Sequence, residues 1–448
     1  MNFNGFKECV IARCQELGIT EYELYYTSGE STTVGVFQDS VSEFTASVEG
    51  GVCFRCIVGG KMGYASTEEL SPEQAKSVVD KAADNAAVLE ADEKVFLGEG
   101  GQTYEEVALK NDTMPATEAL VGTALKTQKK LYAANPAVVD GCQTETLSQR
   151  TETAIYNSKG LDLHYENTIS GVVAVAVVSD GKEMANDFQI KLGKLEDVDT
   201  DALTKKAADG AVLKLGGEVA PTGSYPVVFN SEAMASLLSV YSSIFSSEAA
   251  QKGLSKLSGR EGEVIAAPCV TVVDDPFHKD NPIPMPFDAE GSPTHRKYVV
   301  EKGVFKTLLY NLKTAAVAGK KTTGNASKAG YDASVAVRPF SMYLEGGTLT
   351  EGELLMKAGE GVYITDLSGL HAGANPISGD FSLQSAGFMI RGGKKAEYVK
   401  SFTVAGNFYE LLKNIEDVAS NVELPNAMGM TAFGAPSVLV KHLSVAGK

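Results

Sequence analysis

Tryptophan is absent from this chain of 448 residues, histidine occurs five times and cysteine six. Six cysteines over this length are too few for a disulfide framework and fit a reducing compartment. Basic residues are also in short supply: 40 Lys and Arg stand against 57 Asp and Glu, a formal charge of -17. That balance repels phosphate backbones and anionic bilayers, so no direct nucleic-acid partner is expected. No apolar run approaches the ~20 residues that cross a bilayer, and "MNFNGFKECVIARCQELGI" has no basic segment ahead of a continuous apolar block. The expectation is a cytoplasmic protein without a membrane partner.

Several catalytic signatures are missing too. No Gly-x-Ser-x-Gly elbow occurs, and "VGGKMG" at 58–63 lacks the Ser or Thr and the preceding glycine of a phosphate loop, so it reads as a hairpin turn. The histidines, at 164, 278, 295, 371 and 442, never fall at ligand spacing within one segment. Cys53 and Cys56 lie among Gly and β-branched residues; on a strand, positions i and i+3 face opposite sides, which argues against a shared metal or a redox pair. The basic run "AGKKTTGNASK" at 318–328 reads as a solvated charge run.

What is present alternates. Short strands such as "YELYYT" (22–27) and "GVCFRCIV" (51–58) follow a first helix whose apolar face is Phe6, Val10, Cys14 and Leu17. Two long helices are predicted, 71–91 capped by Ser71, and 116–134, with "LGEGGQT" (97–103) between them as a linker. "LGGEVAPTGSYP" (215–226) marks the clearest boundary. Beyond it come hairpins about Lys302-Gly303 and Gly392-Gly393, helices at 350–358 and 407–419, and a last strand at 437–445. The fold class expected is α+β: an N-terminal α/β region with short strands and two long helices, then a larger β-rich C-terminal domain. The expected division is 1–100, 101–218 and 219–448.

The stretch "NSEAMASLLSVYSSIFSSEAAQKG" from 230 predicts an amphipathic helix capped by Asn230, with Glu232 in its first turn. Met234, Leu237, Tyr241 and Ile244 share one face; Glu232, Ser236, Ser239 and Ser243 share another. Ser231, Glu232 and Ser236 have the spacing of a His-Glu-x-x-x-His zinc signature with both histidines replaced by hydroxyls, which are poor zinc donors. Positions i and i+5 are also about 140° apart on a regular helix. By itself the pattern carries no weight.

It gains weight from "GVCFRCIVGGKMGYAST", "IYNSKGLDLHYENT", "DAEGSPTHRKYVVEKGVFKTLLYN", "GLHAGANPISGDFSLQSAGFMIRGGK" and "AFGAPSVLVKHLSVAGK", segments in whose content and order nearly the whole chain resembles the TldD/PmbA family, most closely its PmbA (TldE) branch. The resemblance implies a two-subunit metallopeptidase in which a TldD-like chain carries zinc on His-Glu-x-x-x-His and a later cysteine. Here the matching positions are Ser231, Glu232 and Ser236, with Met428 the best match for the cysteine; the sequence has no His-Glu pair and no cysteine after Cys269. No cofactor is therefore expected in this chain, and zinc is expected in a TldD-like partner. The resemblance also attaches the label "modulator of DNA gyrase", an effect the net charge makes indirect.

"GLHAGANPISGDF" surrounds His371 with Gly, Asn and Asp ahead of a strand, the composition of a site-bearing loop or of a tight turn in which Asn375 and Asp380 satisfy backbone groups. His371, Asn375, Asp380 and Phe381 are the substrate-binding candidates, with unfolded peptide adding to the strand that starts at Phe381. The leading expectation is a subunit of a TldD/TldE-type peptidase without zinc ligands of its own. The alternatives are a homodimeric peptide-binding protein without a catalytic partner, and a hydrolase using its own residues.

Overall fold

The computed structural model describes residues 1–90, 94–107, 113–424 and 431–448. The apolar alternation predicted over 22–27 and 51–58 extends into longer strands, β1 (Tyr22–Phe37) and β2 (Ser40–Val58), joined at Gln38-Asp39. Both turn residues have positive φ, 48° and 58°, the handedness a two-residue hairpin loop requires. With β3 (Lys61–Thr67), β4 (Gln143–Asn157), β5 (Asp162–Ser179) and β6 (Met184–Leu192) they form an antiparallel sheet of order β3-β2-β1-β4-β5-β6. This one sheet takes strands from both sides of residue 100.

Two pairs of helices cover two ends of the same sheet face. Helix α1 (Phe3–Leu17) begins at Asn2, whose side chain accepts from Gly5 N, and ends at Gly18 with φ 68°. Its Phe6, Val10 and Cys14 pack with α2 (Pro72–Val88) on Leu24, Val52, Phe54 and Cys56. Helices α3 (Thr117–Ala133) and α4 (Thr200–Leu213) cover Val34, Val36, Val172 and Ala174. Cys53 and Cys56 project to opposite faces, as strand alternation requires: Cys56 lies under the helices and Cys53 lines a small cavity with Lys328. The segment 97–103 is packed at its start, at Leu97 and Gly98, while Gly101, Gln102 and Thr103 are exposed as a linker would be. Leu97 is buried, Gly98 O accepts from Asn157 Nδ2 at 2.8 Å, and a Cβ on Gly98 would meet Glu290 O at 2.1 Å.

The helix-free face of the sheet joins the C-terminal unit through Tyr165 OH on Pro284 O and Asn167 Nδ2 on Pro282 O. In that unit the strands Gly223–Phe229, Gly361–Ser368, Asp380–Arg391 and Lys394–Asn407 pair in this order, and Val438–Ala446 pairs with both the first and the last. The sheet thus closes on itself, which removes the edges of these five strands. Helix α5 (Ser231–Tyr241) packs Met234, Leu237, Leu238 and Tyr241 into the main core beside Phe229 and Ile364. A second sheet of five short strands is tied together by the buried carboxylate of Asp274, which accepts from Phe340 N, Ser341 N and Asn325 Nδ2.

The architecture is the expected α+β class, with local differences. The helix predicted at 407–419 stops at Asn414, because Ile415–Val418 pairs as a strand with Val438–Val440. The serine-rich helix does not run unbroken from 231 to 247. It breaks after Tyr241 into a 3-10 turn at Ser242–Phe245, where Ser242 Oγ donates to Ser239 O, and Ser246 caps a new helix, Ser247–Gln251.

Candidate functional site

Where the N-terminal sheet meets the C-terminal unit, two clefts open side by side. The smaller, about 420 Å³, is lined by Asp187, Lys206, Ser231, Asp366, Tyr398 and Glu423 among others. The larger, about 860 Å³, runs along β6 past Phe188, Ile190 and Leu192, and reaches Ser236, Val422 and Leu424. Glu232, Lys206, Gln189 and Glu423 line both, so the first turn of α5 forms the ridge between them.

The sequence brings the helix start here through a short strand-to-cap transition. Phe229 ends a buried strand and Asn230 caps, its side chain accepting from Ala233 N at 2.8 Å. Ser231 is 5% exposed and committed to structure: its Oγ donates to Asn421 O at 3.0 Å and accepts from Asn421 Nδ2 at 3.2 Å. Asn421 in turn bonds Ser437, whose hydroxyl donates to Glu351 Oε2 at 2.7 Å, where Tyr363 OH also donates. Burial opposes ionisation of Glu351, but hydrogen bonds from Lys395, Ser437 and Tyr363 outweigh it and hold the carboxyl below its ordinary range.

Glu232 faces the opening, its side chain 48% exposed, with Lys206 Nζ at 3.6 Å. Partial burial pushes its carboxyl above the ordinary range, Lys206 pulls it back, and the like charges of Glu423, Asp187 and Asp366 add to the rise. Lys214 bridges Asp187 at 2.7 Å and Asp366 at 3.2 Å across the two units.

Ser231, Glu232 and Ser236 are therefore together at the cleft. Met428 lies outside the described residues. The other four candidates lie elsewhere, and none of them lines either cleft. His371 is exposed on a short helical turn, Leu370–Gly373. Asn375 accepts from Ile377 N and Ser378 N, and Asp380 accepts from Asn407 Nδ2 at 2.8 Å, so both carboxamide and carboxylate hold the turn. Phe381 is 3% exposed in the main core. Its strand is not an open edge: Asp380–Arg391 pairs with Lys394–Asn407 on one side and, from Gln384 onward, with Gly361–Ser368 on the other, while Phe381 itself bridges Ala374, which stands where an added strand would have to pair at Phe381. In the basic run, Lys320 and Lys321 are exposed as expected, but Lys328 is buried with its Nζ 4.5 Å above the Tyr25 ring.

Asp187, Lys214, Tyr363, Asp366, Tyr398, Asn421 and Glu423 were not singled out by sequence reasoning. They come from five separate segments on either side of the 215–226 boundary, with no local motif to mark them. Among the described residues, one group of three side chains with metal-ligand atoms comes within 4.8 Å, Glu152, His164 and Glu166. By strand alternation it sits on the helix-bearing sheet face; none of its three residues lines either cleft, and Arg150 already pairs with Glu166.

Three family models match in sequence order: PmbA/TldA metallopeptidase domain 1 over 22–86, the central domain over 110–215 and the C-terminal domain over 222–447. A protein of Methanothermobacter thermautotrophicus named "Metalloprotease" is 29% identical over 89% of this chain and 88% of its own. A "Metalloprotease PmbA homolog" of Haemophilus influenzae is 24% identical over 88% and 86%. Among solved structures, a Thermotoga maritima protein described as a modulator of a DNA gyrase superposes with a TM-score of 0.90 at 30% identity, covering 99% of this chain and all of its own. TldE from Thermococcus kodakarensis has the same fold, with a TM-score of 0.88 at 24% identity over 98% and 99%. With its strand order, cleft and ridge helix described, and with these matches spanning its length, the chain belongs to the PmbA/TldD family.

Proposed function

We propose that this chain is the subunit of a two-chain metallopeptidase that shapes the peptide-binding cleft and leaves the zinc to a TldD-like partner. The observation that carries this reading is the state of the helix start. A zinc centre needs nitrogen or sulfur donors beside a carboxylate. The side chains present are two hydroxyls and Glu232, with Ser231 held by Asn421 and Glu232 facing Lys206. That donor set does not fit the metal, and no hydrolytic step is assigned to it.

Peptide in extended form lies along the larger cleft, walled by β6, the outer strand of the six-stranded sheet. Main-chain recognition of this kind tolerates many sequences, which suits unfolded peptides as substrates. Net charge again excludes nucleic acid as the direct ligand.

The experiment is zinc content by atomic emission, with cleavage of an unstructured reporter peptide, for the chain alone and mixed with a TldD-like chain. The chain alone holds no stoichiometric zinc and does not cleave; the mixture does. Vigorous cleavage by the isolated chain in excess chelator overturns the assignment.

A further inference from the structure

The two clefts differ in chemistry, and the difference says something about the peptide. The larger has an apolar wall of Ile169, Phe188, Ile190, Leu192 and Leu203. In the smaller, the carboxylates of Asp187, Asp209, Glu232, Glu351, Asp366 and Glu423 outnumber the ammonium groups that reach them: Lys205 at Asp209, Lys206 at Glu232, Lys214 at Asp187 and Asp366, and Lys395 at Glu351. Lys214 is shared between Asp187 and Asp366, Lys206 stands 3.6 Å from Glu232, and among the described residues no cation pairs with Glu423.

Acid alone would not define a pocket, but three aromatic rings line the same cavity. Tyr363, Phe388 and Tyr398 form a continuous chain, with ring centroids 6.5 Å apart for the first pair and 5.3 Å for the second. Burial, with the neighbouring Asp366, pushes the Tyr398 phenol up to about 12, so its ring is neutral. Neutral aromatic faces beside an exposed, unbalanced carboxylate are an environment that holds an organic cation, through the ring quadrupole and through-space attraction at the mouth of the cleft. At about 420 Å³ the cavity accommodates a long side chain.

We infer that the smaller cleft is a specificity pocket that takes the alkylammonium or guanidinium end of a Lys or Arg side chain from a peptide whose apolar residues lie along β6. This deepens the peptide-binding reading above and rests on it. Glu423 and Asp366 supply the charge, and Phe388 and Tyr398 the faces.

The test uses the full chain and three capped, unstructured peptides of one apolar sequence with a single central lysine, norleucine or glutamate, titrated calorimetrically at low salt. The lysine peptide binds roughly tenfold tighter than the norleucine peptide, the range of one partly desolvated cation–π contact with a carboxylate neighbour, and the glutamate peptide binds more weakly than either. Half-molar salt shrinks the advantage. Glu423→Lys reverses the order in favour of glutamate, a change of sign that misfolding does not imitate. Equal affinity for lysine and norleucine overturns the pocket while leaving peptide binding intact; failure of all three peptides to bind overturns both.

Discussion

Phe381 begins a strand whose flanking glycine and aspartate resemble a loop that carries function, yet its ring is in the core beside Tyr241 and Leu383. Removing a fully buried aromatic ring costs about 3–5 kcal/mol. Phe381→Ala is therefore expected to lower unfolding stability in urea by that order, while a peptide bound in the cleft is released only to the extent that the chain unfolds. Loss of peptide affinity with unchanged stability would return Phe381 to the binding surface. At this scale the sequence was informative about Ser231, Glu232 and Ser236, which one helix carries to the clefts as their spacing requires. It was poor at separating Asn375 as a turn former from Asn375 as a ligand, because both roles use the same carboxamide in the same kind of loop.

Elements were more legible where the signal is local. Ser71 and Asn230 cap helices as their side chains suggest, and the hairpin turns at Lys302-Gly303 and Gly392-Gly393 have the positive φ that such turns demand. The ends of elements were less so: Ile415–Val418 leaves the helix for a partner strand contributed by residues 438–440, which no local pattern announces. The cap at Asn230 also positions the ridge between the clefts. Asn230→Ala is expected to cost about 1 kcal/mol in thermal or urea unfolding, and, if the ridge depends on that cap, to weaken peptide binding in both clefts together. A loss confined to one cleft would count against a single rigid ridge.

The two halves of the molecule meet around a buried set of charges that is invisible in the sequence, because its members, Glu23, Arg55, Asp288 and Glu290, come from widely separated segments. Arg55 Nε donates to Glu23 Oε1 at 2.8 Å. Burial pushes the Glu290 carboxyl up, Asp288 adds like charge and Arg55 opposes the rise; Asp288 is raised by burial against three backbone N–H bonds. The folded chain thus keeps a proton here that the unfolded chain has released, so this contribution to stability is complete below the ordinary carboxylate range and is lost as pH climbs toward neutrality. Glu290→Gln remains uncharged and can still accept from Leu312 N. Its melting temperature is expected to fall less than that of the parent between about pH 5 and about pH 8. Parallel curves would remove Glu290 from the account.

The strand Val438–Ala446 closes the C-terminal sheet by lying between two strands that begin at residues 223 and 394. A ribosome makes the chain in order, so both flanking strands emerge with an unprotected side long before the segment that seals them is synthesised. The β-rich unit can reach its native arrangement only once that segment has left the exit tunnel, and until then it is a natural client for chaperones that shield exposed strands.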